Sequence, residues 1–136
     1  MIERIEYDFV RKFIKKEKQD RLFYELGSKN KRVVAVSKFA HNANEYIKPN
    51  LIVLSGKHIF IEDIKKIVLK LSPENTLCHL IGTALDGSAI EFLKGLEYCF
   101  NEFQSSILIM GNYVFIKEET EMGTPMKYLL IDNKQQ

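Results

Sequence analysis

Apolar residues recur at helical spacing in the first third of the chain and in strand-length runs thereafter. Ile2, Ile5, Phe9, Phe13 and Ile14 predict an amphipathic helix over residues 3–16. Residues 15–21 are polar throughout and have no side to bury, so exposure or a break is expected there. Leu22, Phe23 and Leu26 resume an apolar face, with Gly27 as its C-cap. Ser28 is a candidate cap for a further helix carrying Val33, Val36, Ala40, Ala43 and Ile47 on one stripe. Phe39 and Tyr46 widen that stripe, and Pro49 stops the helix.

The run 51–54 is wholly apolar and reads as a buried strand. Ile64, Ile67, Val68 and Leu71 then mark a helix, with Glu62 and Asp63 in its favourable first turn and Ser72-Pro73 at its end. The clearest local unit follows: a strand over 76–81, a tight loop over 82–87 and a long amphipathic helix from Ser88. Ala89, Phe92, Leu93, Leu96, Cys99, Phe100 and Phe103 form its apolar stripe. Ser88-Ala89-Ile90-Glu91 fits a capping box, in which the serine hydroxyl and the glutamate carboxylate satisfy each other's backbone amides. Two β-rich runs, 106–110 and 113–117, flank Gly111-Asn112, a strong hairpin signal. An acidic turn (Glu118, Glu119, Glu121) leads past Thr124-Pro125 to a last strand at 127–131 and a polar tail.

These elements predict one domain, 1–136, with a helical N-terminal part (1–48) and a sheet-bearing part (51–132). The expected class is α+β (mixed α/β): N-terminal helices followed by a roughly five-stranded, largely antiparallel sheet with two helices packed on it. A chain of this length buries roughly two thirds of its unfolded surface and needs no metal or disulfide to hold a core. Its 46% hydrophobic and 28% charged residues are those of an ordinary globular protein. No run of apolar residues is long enough to span a bilayer, and the N-terminus has no apolar signal core. A cytoplasmic protein without a membrane partner is therefore expected. Cys78 in a strand and Cys99 on an apolar stripe read as buried, reduced thiols.

The net charge of +2 hides an asymmetry. Residues 1–50 hold 12 Lys/Arg against 7 Asp/Glu, and the remainder 8 against 11. The cluster Arg11, Lys12, Lys15, Lys16 and Lys18 could meet phosphates, but a solvated helix face is the expected reading.

Candidate chemistry centres on the 82–88 loop. Its two glycines lie between a strand and a helix, as in a phosphate-binding loop. That motif needs Lys where Ser88 stands and Ser/Thr where Ala89 stands, and Asp86 adds a repelling charge. Nucleotide hydrolysis is excluded on those grounds, while anion capture by the helix N-terminus stays open. The run Asp86-Gly87-Ser88-Ala89 faintly resembles the switch of the sulfate-transporter and anti-sigma-antagonist domain family, over about residues 51–110. There a strand ends in Asp-Ser-Ser-Gly and the serine is phosphorylated. Here Gly87 replaces the first serine, Ala89 replaces the glycine, and the Gly111-Asn112 hairpin stands where that family has another helix.

Other catalytic motifs are absent, and no zinc cage or cofactor motif is present. His41 with Glu45 is an i,i+4 pair lacking a third ligand, and reads as a surface pair near a helix end. His79 follows Cys78 in a strand, so the two side chains take opposite faces. The leading expectation is a non-enzymatic protein-binding domain, such as a small bacterial immunity protein that neutralises a toxin. Glu118, Glu119 and Glu121 would be its contact surface for a basic partner. The first alternative is a small enzyme whose site assembles in space from Asp86, Ser88, His41 and His79. The second is a nucleic-acid-binding module on the basic N-terminal helices.

Overall fold

The structure, a computed structural model, describes residues 2–72, 76–119 and 123–132. Its elements are α1 (Arg4–Phe13), α2 (Lys16–Leu26), α3 (Arg32–His41), α4 (Ala43–Tyr46), β1 (Ile52–Gly56) and α5 (Ile61–Val68). These are followed by β2 (Leu77–Ile81), β3 (Ala89–Glu91), α6 (Phe92–Asn101), β4 (Ser106–Met110), β5 (Tyr113–Lys117) and β6 (Lys127–Ile131). The six strands form one antiparallel sheet in the order β1-β6-β5-β4-β2-β3, so the class is mixed α+β with helices preceding the sheet.

Strand alternation explains why both faces of the sheet are covered. Ile81, Ile107, Ile109, Val114, Ile116, Tyr128 and Leu130 project to one face and meet Phe9, Val10, Phe13, Leu22, Phe39 and Ile47 from α1–α4 and the residue after α4. Cys78, Leu80, Leu108, Met110, Phe115 and Leu129 project to the other and meet Ile64, Val68, Phe92, Leu96 and Cys99 from α5 and α6. Both cysteines are buried and free. Burial pushes the Cys78 thiol up to about 12 and the Cys99 thiol up to about 11, which leaves neither reactive at neutral pH.

Several local expectations need correction. Ser88 is not a helix cap, and no capping box forms with Glu91. Gly82, Thr83 and Gly87 all adopt positive φ, at 97°, 62° and 83°, and this turns the chain back on itself. Ala89, Ile90 and Glu91 then pair with His79, Cys78 and Leu77 as an added sixth strand, and the helix starts only at Phe92, after Glu91 at the N-cap. The single helix expected through Ile47 breaks at Asn42, and the polar stretch from Lys16 is itself the start of α2. α3 has Lys31, not Ser28, at its N-cap. The apolar run at 51–54 belongs to an edge strand with Val53 exposed, because β1 has only β6 as neighbour. α5 stops at Val68, and Pro73 lies outside the described residues. The Gly111-Asn112 hairpin forms as expected between β4 and β5, with Gly111 at φ 72°.

Candidate functional site

Four charged or ionisable side chains from distant parts of the chain converge beside the 82–87 turn. Glu6 sits in the apolar stripe of α1, four residues after Ile2 and three before Phe9, so helix formation drives its carboxylate into the core at 1% exposure. Arg32 opens α3 and grips that carboxylate with both Nη atoms, each at 2.7 Å. The same guanidinium donates from Nε and Nη2 to Asp86 at 2.8 and 2.9 Å, and from Nη1 to the Leu26 carbonyl at 3.0 Å. All five of its N–H donors are therefore spent inside the protein. His79 projects from β2 toward the α1–α4 face, opposite Cys78, and its Nε2 lies 2.7 Å from Glu6 Oε2. The gripped carboxylate is an acceptor only, so that ring nitrogen carries the hydrogen.

Burial by itself raises the Glu6 pKa, but hydrogen bonds from Arg32 and His79 outweigh it and hold the carboxyl below its usual value. Asp86 is lowered in the same way by Arg32 and by the Gly82 amide, which donates to its Oδ1 at 2.8 Å. The hydrogen bonds to Glu6 and Asp86 raise the Arg32 pKa. The cluster thus stitches α1, the α2–α3 connection, β2 and the turn together at one corner, on the α1–α4 face.

In front of this corner lies a groove of about 270 Å³. Arg32, Val33, Val36 and Ser37 of α3 form one wall; Gly82, Thr83 and Asp86 of the turn another; Gln104, Ser105 and Glu119 close it. Two of its features stand out against the sequence. Val33, expected in the core stripe of α3, is 77% exposed; outside the groove lining, Phe103, expected on the α6 stripe, lies past the end of that helix and is exposed as well. Thr83 is a β-branched residue held in the left-handed region, where only a defined environment keeps it. Its hydroxyl accepts from the Tyr98 hydroxyl at 2.9 Å and from the Leu85 amide at 3.3 Å.

The residues nominated from sequence are dispersed around this corner. Asp86 and His79 join one network through Arg32 and Glu6. His41 lies apart at the end of α3, its Nε2 3.3 Å from Glu119. Ser88 contributes backbone bonds to the β2–β3 turn, accepting from the Leu80 amide at 3.0 Å. Glu118 is half-buried, accepts from the Tyr128 hydroxyl at 3.1 Å, and has its pKa raised by burial. Glu121 lies outside the described residues. The helix expected to follow the 82–87 turn starts only at Phe92, so the anion capture expected of its N-terminus has no site at the turn.

Glu6 and Arg32 were not nominated from sequence. The one signal for Glu6 was a carboxylate inside an apolar helical stripe. Arg32 gave none, because its partners are remote in the chain.

Among the described residues, no group of three or more His, Cys, Asp or Glu could hold a metal ion, and no helix is long and apolar enough to cross a membrane. No protein-family model matches the chain, and no curated protein or solved structure matches it.

Proposed function

We propose that the protein is a non-enzymatic partner-binding domain that uses the groove between α3 and the 82–87 turn. The observation that carries this reading is the pairing of a closed ionic cluster with an exposed apolar side chain at the groove. Arg32 leaves no donor for a substrate, while Val33 offers exposed apolar area at the groove. The half-exposed carboxylates of Asp86 and Glu119, at 34% and 36%, give the groove an acidic complement. The partner that fits is a protein presenting a basic residue flanked by apolar ones, of which a toxin held by its small inhibitor is one concrete case. Glu119 keeps the contact role expected for the acidic turn; Glu118, tied to Tyr128, has a smaller share.

The test is capture from the host followed by stoichiometry of the purified complex, with Val33→Asp and Ser37→Arg variants beside the wild type. A 1:1 complex lost in both variants, with circular dichroism unchanged, supports the groove. The same complex formed equally well by both variants rejects it.

One observation favours a second reading. Two concavities of about 550 and 720 Å³ share Tyr7, Arg11 and Lys48 and add Arg4, Lys12 and Lys16. Tyr7 stacks on Phe23 at 4.7 Å, with the guanidinium groups of Arg4 and Arg11 5.7 and 5.9 Å from its ring. A basic surface around an aromatic ring suits single-stranded nucleic acid. Binding whose affinity falls steeply with salt, and falls again in Lys12→Ala, would favour this reading over the groove.

A further inference from the structure

A second cluster of buried charge lies on the opposite face of the sheet. Lys117 ends β5 and Lys127 begins β6; the two are direct cross-strand partners and point to the α5–α6 face. Their exposures are 1% and 5%. Two ammonium groups so placed repel each other and have lost most of their water, and burial draws both below the usual lysine range.

Among the described residues neither has a carboxylate within ion-pair distance. Lys117 donates to the Glu102 and Gln104 carbonyls, and Glu102 and Glu119 act on it only through space. Lys127 donates to the Lys57 carbonyl at 2.9 Å and lies 5.5 Å from the Phe100 ring centroid. Capping the C-terminal carbonyls of α6 accounts for Lys117. It does not account for a second buried cation beside the first.

Both lysines line a cavity of about 350 Å³ with Lys57, His58, Phe60 and Phe100. We propose that this cavity binds a small organic anion, a carboxylate or phosphate carried on a flat apolar body. The two cations, without a carboxylate partner among the described residues, supply the charge that would hold the anion. Phe60, 67% exposed although it lines the cavity, supplies the surface for the apolar part. The volume suits a single ring with its charged group. This cavity shares no lining residue with the α3 groove, although the Gln104 carbonyl that Lys117 bonds belongs to a residue of the groove wall.

The test uses three probes, benzoate, phenyl phosphate and inorganic phosphate, each at about 10 mM. Thermal unfolding and amide NMR shifts are the readouts. Benzoate or phenyl phosphate should raise Tm by at least about 3 °C and shift amides at 57–60 and 124–127. Lys127→Met should abolish the response, and Lys12→Met on the basic N-terminal surface should keep it. Should Lys127→Met fail to fold, Phe60→Ala, which removes only an exposed ring, is expected to weaken the aromatic probes about tenfold. No response to any probe, or a response that survives in Lys127→Met, overturns the site. Inorganic phosphate acting as strongly as phenyl phosphate overturns the apolar half of the proposal.

Discussion

Around Arg32 every buried charge meets an opposite one. Around Lys117 and Lys127 the buried cations meet, among the described residues, carbonyl groups and an aromatic ring. The two clusters occupy opposite faces of the same sheet at similar depth, so burial alone does not decide what a charge is for. In the Arg32 cluster, desolvation is offset by two carboxylates and a full set of donors, and the result is a clamp between elements distant in sequence. In the lysine cluster desolvation is not offset within the described chain, and the result is a site with an open demand for negative charge.

The comparison breaks most directly at Arg32. Arg32→Met leaves the Glu6 carboxylate in the core with only His79 for company, and should cost about 3–5 kcal/mol, read from urea unfolding. Pairing it with Glu6→Gln should cost less than the sum of the single losses, with a coupling of about 1–3 kcal/mol. A loss below about 1 kcal/mol for Arg32→Met would mean that the clamp contributes little and that the two clusters do not differ as described.

The clamp also depends on the turn that presents Asp86. A Cβ on Gly82 would stand 2.8 Å from the Ser105 carbonyl oxygen, at a φ of 97°. Gly82→Ala should therefore cost about 2 kcal/mol or more, combining backbone strain with a collision against main chain. At Gly87, with φ 83° and nothing within 4 Å of the added carbon, only the strain remains, about 1 kcal/mol. Equal losses at the two glycines would show that the turn does not pack on the residues before β4.

Rising pH favours both clusters, but in different windows and for different reasons. Glu6 and Asp86 have lowered pKa values when folded, from reference values of 4.5 and 3.8. Their stabilisation is fully present above those values and is lost as pH falls through the lowered folded values. Lys117 and Lys127 are lowered from 10.5, so the unfolded chain binds their protons more tightly. Their burial is a penalty at neutral pH, relieved as pH rises toward the unfolded value. Lys127→Met should thus be neutral or stabilising by about 1–2 kcal/mol at pH 7, with a smaller difference at pH 10. A loss above about 3 kcal/mol would identify an internal partner for the cation and remove the contrast.

What was legible in the sequence follows from how local each determinant is. The strands at 77–81, 106–110, 113–117 and 127–131 announce themselves by apolar runs, and Gly111-Asn112 by the backbone conformation it allows. Both charge clusters depend on contacts between residues remote in sequence. Arg32 meets Glu6 across 26 positions and Asp86 across 54. Lys117 and Lys127 are polar ends of apolar strands, a pattern that ordinarily means a solvated strand end; here the chain just after α6 holds Lys117, and Lys57, Pro125 and the Phe100 ring hold Lys127. Val33 fits the periodicity of α3, yet the helix turns Ala35, Phe39 and Ala40 inward and leaves Val33 at the groove.

Ser88 carries the smallest expected effect and the sharpest lesson about register. Its sequence setting, serine three residues before glutamate and ahead of an apolar run, is that of a helix cap. A cap serine replaced by alanine would cost about 0.5–2 kcal/mol. In the folded chain the backbone of Ser88, not its hydroxyl, is engaged: the carbonyl accepts from Leu80 and the amide donates to Leu85. Ser88→Ala should therefore change stability by less than about 0.5 kcal/mol. The left-handed turn just before Ser88 commits Ala89, Ile90 and Glu91 to pairing with β2. Three residues that fit a helix then gain ladder hydrogen bonds and bury part of Ile90 against the α6 core, which displaces the helix start to Phe92. A loss of a full kcal/mol on Ser88→Ala would place the helix start back at Ser88. That would dissolve β3 and undo the turn geometry on which Asp86, Arg32 and the groove in front of them depend.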